Sequence, residues 1–224
     1  MTGQDSPLLV SIAVLGGTGK EGSGLAMRWA LQGYKVIIGS RDGERARQHA
    51  SEMNERLGSE YVVGMQNAEA AAAADLVVLS VPYAAHADTL RSVAAEVQGK
   101  VLIDLTVPMQ PPKVRTVHLP AGGAAALEAR ELLGEGVRIV SAFQNVSSEK
   151  MAQPDSRVDC DVLVTGDDDD AKADALKLVE AAGMRGIDAG PLANAVAAES
   201  LTPVLLYINK KYGVKGAGIR ITGL

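Results

Sequence analysis

Gly17, Gly19 and Gly22 form Gly-x-Gly-x-x-Gly directly after the apolar run 10–15. That spacing suits the cradling of a pyrophosphate by backbone N–H groups where a helix begins. The first glycine permits a tight turn, the second lets the pyrophosphate reach the backbone, and the third lets the helix pack on the strand. Thr18, Lys20 and Glu21 fill the places between and beside them. About twenty residues past the glycines an NAD site usually carries an acid for the ribose 2′-hydroxyl. Here Ser40 and Arg41 stand there, with Arg45 one helical turn later. A hydroxyl and two guanidinium groups suit a 2′-phosphate, because arginine gives forked, charge-assisted bonds to phosphate oxygens. The competing reading, two arginines on a solvated helix start, puts two cations at the positive end of a helix. The pattern therefore predicts a dinucleotide site for NADP(H).

Little else in the chain suggests chemistry. Cys160 is the only cysteine, which fits a small core residue and offers no zinc set. His49, His86 and His118 have no partner at a telling spacing and read as surface or satisfied structural histidines. Asp167 to Asp170 are four adjacent carboxylates, which cannot all face one ion and lack the spacing of a calcium loop. They read as the cap and first turn of a helix over 170–182. No metal site and no nucleophile is expected.

The glycine motif needs a frame, and the hydrophobic pattern supplies one. Residues 10–15 resemble a strand buried on both faces. The next helix places Leu25, Trp29 and Ala30 on one face and ends at Gly33, and a second strand covers 34–39. A helix over 41–58 carries Ala46, Ala50, Met53 and Leu57. Then come a short strand at 61–63, an alanine helix at 68–74 capped by Asn67, and a buried strand at 76–81 stopped by Pro82. A helix over 86–97 and a strand over 101–107 follow. Tyr83, Val107 and Met109 thus fall at the carboxyl ends of central strands, where open α/β sheets bind ligands. Tyr83 either borders the dinucleotide or packs under the next helix.

Pro111, Pro112 and Pro120 mark 110–120 as a surface loop. A helix at 122–133 and a strand at 137–142 precede an aperiodic stretch, 143–157, that reads as a functional loop. A strand at 161–165 and a last strand and turn at 185–190 lead to the longest helical pattern, 192–212. It has Leu201, Val204, Leu205 and Ile208 on one apolar face and Pro203 inside, where a bend or break is expected. The alternation implies a Rossmann-type α/β fold, a doubly wound parallel sheet with right-handed crossovers. Residues 1–142 read as the dinucleotide-binding domain and 143–224 as a smaller helical and strand region completing the crevice.

Composition narrows the function. The 224 residues are 47% hydrophobic and 22% charged, as in an ordinary globular protein, and a net charge of −5 argues against general nucleic-acid binding. Aromatics are only 3%, so the core rests on Val, Leu, Ile and Ala. Lys210, Lys211, Lys215 and Arg220 make the C-terminal end basic, either for an anionic ligand or to complement a helix dipole. Residues 1–9 lack the features of a secretory signal, and no apolar run reaches spanning length, so the cytoplasm is expected.

Gly16-Gly-Thr-Gly19 followed by Gly39-Ser-Arg41 resembles the coenzyme F420:NADP oxidoreductase family. Gly166-Asp-Asp-Asp169, Asp188-Ala-Gly-Pro-Leu192, Glu199-Ser-Leu-Thr-Pro203 and Gly218-Ile-Arg220 strengthen the match, which runs from Ile12 to Ile221. The resemblance implies that NADP(H) contacts Thr18, Gly19, Lys20 and Glu21, then Ser40, Arg41 and Arg45, then Tyr83, Val107 and Met109. It implies that coenzyme F420, the deazaflavin co-substrate, is bordered by the loop after Ala142, with Ser148, and by the tail near Ala217. Where the family often has a histidine after that strand, this chain has Phe143-Gln144-Asn145. The implied chemistry is direct hydride transfer between two rings, with no catalytic side chain. An NADPH-dependent imine or carbonyl reductase, with Tyr83 as proton donor, and an NADP(H)-sensing protein are the other readings. A homodimer is expected through the face carrying Leu201 and Ile208.

Overall fold

The computed structural model describes residues 10–154 and 156–224. Residues 1–9, read above as lacking a secretory signal, lie outside the described residues, as does Asp155 within the stretch 143–157. The first half runs β1 (Ile12–Leu15), α1 (Lys20–Leu31), β2 (Val36–Ser40), α2 (Gly43–Leu57), β3 (Val62–Gln66), α3 (Asn67–Ala73) and β4 (Leu76–Leu79). It continues α4 (Tyr83–Ser92), β5 (Val101–Asp104), α5 (Ala125–Leu133), β6 (Arg138–Ser141) and the one-turn α6 (Ser148–Met151). The chain then forms β7 (Asp161–Gly166), α7 (Asp169–Ala181), β8 (Arg185–Asp188) and, after a 3-10 turn, α8 (Ala195–Tyr212).

The strands form one sheet in the order β3-β2-β1-β4-β5-β6-β7-β8. The first six are parallel and take the Rossmann order. The expectation of a wholly parallel sheet needs correction, because β7 runs antiparallel to β6 and β8 follows β7 in parallel. The connection from β6 to β7 carries only the single turn α6. It offers no full crossover helix to return the chain to the same end of the sheet.

Alternation along the strands feeds two cores. Ile12 and Val14 of β1 face α1, α2 and α7, whereas Ala13 and Leu15 face α3, α4 and α5. All four are fully buried, which is why the run carries no polar residue. Trp29 joins α1 to the C-terminal half. Its Nε1 donates to the Leu178 carbonyl at 2.8 Å, and its ring meets Phe143 edge to face at 6.1 Å.

Several boundaries differ from expectation for local reasons. Asn67 is the first residue of α3, not its cap, and Glu69 instead reaches back to the Gln66 N–H at 3.2 Å. α4 starts at Tyr83, one turn early, because Pro82 is an acceptable residue at a helix start. α5 starts at Ala125, later than expected. α8 runs through Pro203 without a break, and its apolar face is divided. Leu205 is buried, but Val204 is 44% exposed. Among the described residues, no helix is long and apolar enough to cross a membrane.

Candidate active site

β1 lies between β2 and β4, so the chain reverses its direction of travel across the sheet there. A crevice opens at the carboxyl ends of strands beside such a point. The turn leaving β1 fits a phosphate cradle, with one change of roles. Gly16, outside the expected motif, has the positive φ of +77°, and a Cβ there would lie 2.3 Å from the Ser80 carbonyl oxygen. The tight turn is therefore the work of Gly16 rather than Gly17. Gly17 is needed for space, since its Cβ would meet the Val14 carbonyl at 2.7 Å. Gly22 brings α1 down onto β1, where a Cβ would lie 3.0 Å from the Gly17 Cα. The Gly16 and Gly17 N–H groups both donate to the Gly39 carbonyl, at 3.0 and 3.2 Å, which ties the turn to the end of β2. α1 has no side-chain cap, which leaves its first N–H groups available to an anion. Thr18 sits half-buried at the tip of the turn.

Ser40 ends β2, and its Oγ accepts from the Asp42 N–H at 3.2 Å. Asp42 is the nearest acid, but its carboxylate is committed to capping α2, accepting from Glu44 and Arg45 N–H at 3.0 and 3.2 Å. Arg41 and Arg45 are exposed beside it. Arg47 in the same helix is paired with Glu44 at 2.8 Å; neither Arg41 nor Arg45 is in an ion pair among the described residues.

A cavity of about 710 Å³ continues from this turn. Gly19, Lys20, Glu21, Tyr83, Val107, Met109, Ser148 and Ala217 all line it, so eight expected residues from five separate segments meet there. Gly17, Thr18, Gly22, Ser40, Arg41 and Arg45 are not among the wall residues; they belong to the turn and to the end of β2 beside it. Glu21 is half-buried on the first turn of α1, and burial pushes its carboxyl up to about 8.

Sequence reading missed the walls that α8 supplies, Thr202, Leu205 and Asn209. Their signal was present in the motif Glu199 to Pro203, but nothing in it said which neighbour it would meet. Thr202 Oγ1 donates to the Gln144 carbonyl at 2.5 Å. Gln144 itself is buried and donates from Nε2 to the Asp104 carbonyl at 2.7 Å and to Ser141 Oγ at 2.8 Å. The preceding Phe143 has φ of +73°, a strained backbone for a bulky side chain, and is held there by full burial against Trp29.

Behind the wall lies a buried polar cluster. His86 Nε2 is 2.6 Å from Asp104 Oδ2, and both are at most 2% exposed. Burial opposes a charge on His86, but Asp104, with Glu199 and Glu128 nearby, wins and raises its pKa. Tyr83 stacks on His86 and donates its hydroxyl to Glu128 at 2.9 Å. Burial, then the bond to Glu128, pushes the phenol up to about 12. Tyr83 thus both borders the cavity and packs in α4, and its proton is already committed. Glu199 of α8 caps α5, accepting from Ala125 and Ala126 N–H at 2.7 and 3.1 Å, and burial pushes its carboxyl up to about 8 despite those bonds.

The C-terminal cations are divided. Arg220, expected among the basic residues for an anion, is instead bound to Asp161 at 3.1 Å and Asp159 at 3.2 Å. Lys215 lines the cavity. The aspartate run is structural, with Asp168 capping α7 through the Ala171 N–H at 2.7 Å and Asp167 accepting from the Leu192 N–H at 2.9 Å. A second concavity of about 830 Å³, between Arg28 and Gly186, lies away from the strand ends. Arg28 there is spent on backbone carbonyls, among them Ala182 at 2.8 Å and Gln153 at 2.6 Å. Its chemistry does not rival the glycine-turn crevice.

Known proteins agree with this geometry. Residues 11–108 match the family model described as NADP oxidoreductase coenzyme F420-dependent. The chain is 45% identical to the F420-dependent NADP reductase of Methanothermobacter thermautotrophicus, covering 97% of both chains. It is 40% identical to that of Methanocaldococcus jannaschii, over 96% of this chain and 99% of the relative. Among solved structures, a candidate F420-dependent NADP-reductase from Arthrobacter sp. FB24 superposes with a TM-score of 0.80 at 26% identity, covering 95% and 99% of the two chains. The chain belongs to the F420-dependent NADP reductase family.

Proposed function

We propose that this protein is an NADP(H)-dependent coenzyme F420 reductase. The observation that carries the reading is a single cavity that begins at the α1 N-terminus and ends at the C-terminal tail. Its size falls in the range that buries small ligands. The glycine turn and the uncapped α1 start fit a pyrophosphate, and Arg41, Arg45 and Ser40 fit a 2′-phosphate. When both are bound, the dihydronicotinamide supplies a hydride to the deazaflavin ring, and a solvent proton completes the reduction. The chain's part is to hold two flat rings in contact and exclude water. Val107, Met109 and Leu205 supply apolar walls for that purpose. Ser148 and Ala217 border the deazaflavin, and the basic Lys215 suits an acidic tail.

The division of labour falls at 142/143, with the dinucleotide held before it and the co-substrate crevice completed after it. We place the enzyme in the cytoplasm as a homodimer. The exposed apolar residues Val204 and Tyr207 on α8 support the dimer, and a monomeric mass by light scattering would break it.

The deciding assay mixes the protein with NADPH and oxidised coenzyme F420 and follows loss of the deazaflavin's visible absorbance. NADH and flavin mononucleotide serve as controls. Bleaching with NADPH alone is expected. Intact NADPH binding without bleaching would overturn the acceptor and leave a sensor or another reductase.

A further inference from the structure

Asp161, at the start of β7, is fully buried and does not line the cavity, yet it binds three separate segments of chain. Its N–H donates to the Ile219 carbonyl at 2.9 Å. Its own carbonyl accepts from Asn145 Nδ2 at 2.7 Å, and Asn145 lies on the cavity wall. Its carboxylate accepts from Arg185 Nε at 2.7 Å, Arg220 at 3.1 Å and the Ile221 N–H at 2.6 Å. Arg185 also donates to the Ile221 carbonyl at 2.9 Å. Between these ties the tail passes the cavity. The Ala217 N–H donates to Asn209 Oδ1 at 2.9 Å, and Gly216 packs so closely that a Cβ would lie 3.0 Å from Ser147 Oγ. Gly218 is as tight, with its Cβ site 2.7 Å from Cys160 Sγ. Asn145, Ser147, Asn209, Gly216 and Ala217 are all wall residues of the cavity.

We infer that Asp161 and Arg220 are positioning residues for the co-substrate half of the site, clasping the tail and the 143–149 loop at their set separation. This rests on the F420 reading of that half. The physical reason is that the tail after α8 has no helix or full strand of its own. Beyond the backbone bond from Asp161 to Ile219, its place is fixed by side-chain bonds and close packing. A buried carboxylate with several charge-assisted bonds is a firm anchor, and the partners of Asp161 hold its carboxyl well below the usual range.

The test is Arg220→Gln, which removes the half-exposed partner and leaves Asp161 with Arg185 and the Ile221 N–H, so the fold persists. Expected results are a three- to ten-fold rise in KM for coenzyme F420, kcat within two-fold, an unchanged Kd for NADPH, and faster hydrogen exchange over 216–221. Arg220→Lys should recover part of each. Unchanged exchange would overturn the clasp whatever the acceptor is. Faster exchange with an unchanged KM for F420, or equal losses for both substrates, would overturn its role at the co-substrate half. Failure of the unmodified protein to reduce F420 while it binds NADPH would instead overturn the reading beneath it.

Discussion

The two ends of the cavity are built in different ways. The end proposed for the phosphates of the dinucleotide is local. One continuous stretch, β1 through the start of α2, supplies the glycine turn, the helix start, Ser40, Arg41 and Arg45. Neighbouring strands β1 and β2 fix the parts against one another in register. The end proposed for the co-substrate gathers residues near positions 144, 148, 205 and 217, and side-chain bonds such as Thr202 to Gln144 and Asn145 to Asp161 hold them. A site made by backbone geometry within one motif is legible and rigid. A site made by distant side chains depends on each of those bonds and can vary without loss of fold.

This comparison predicts its own sharpest break at Gly16. Gly16→Ala forces a left-handed conformation and an overlap with the Ser80 carbonyl. A loss of about 3 kcal/mol or more in unfolding stability is expected, with NADPH affinity lost as well. Retained NADPH affinity, measured by titration, would show that the turn is not the rigid element. Next in size, Arg41→Ala should weaken NADPH by about 1.5–3 kcal/mol, roughly ten- to hundred-fold, and leave NADH nearly unchanged. Equal losses for both cofactors would remove Arg41 from the 2′-phosphate.

The smallest effect per unit of the variable changed is a pH slope from the buried cluster behind the cavity wall. Glu199 and His86 both have raised pKa values in the folded state, so folding takes up protons there. The Glu199 contribution is present below the unfolded carboxyl value and is lost as pH climbs towards 8. The His86 contribution is present below the ordinary histidine value and is lost as pH rises through its higher folded one. Stability should therefore fall between about pH 4.5 and 8, by at most about 1.4 kcal/mol per pH unit for each proton. Thermal unfolding across that range checks it, and Glu199→Gln should flatten the slope. A slope of the opposite sign would break the assignment.

The legible parts share a physical character. The strands of the first half are apolar on both faces, so their sequences announce burial, and the glycine motif announces a backbone that side chains would block. The reversal at β7 carried no such signal, because Val162 and Val164 are buried whichever way the strand runs. The same holds for His86 and Asp104, eighteen residues apart on different elements, whose pairing needs the packing of α4 on β5. Arg220 read as a free cation because its partners Asp159 and Asp161 lie some sixty residues earlier in the chain.

By itself the sequence determined the Rossmann order of elements, the NADP(H) turn and the guanidinium pair at the end of β2. These depend on periodicity, glycine sterics and charge within a short span, and the residues carry that information without knowing their neighbours. Only the tertiary structure decided that Gly16 makes the turn, that Asp42 is already used as a cap, and that α8 and the tail complete the cavity. It also joined Asp161 to Asn145, Arg185, Arg220 and Ile221. Each of these depends on which distant groups meet, and a side chain's donors and acceptors do not name their partners until the chain has folded.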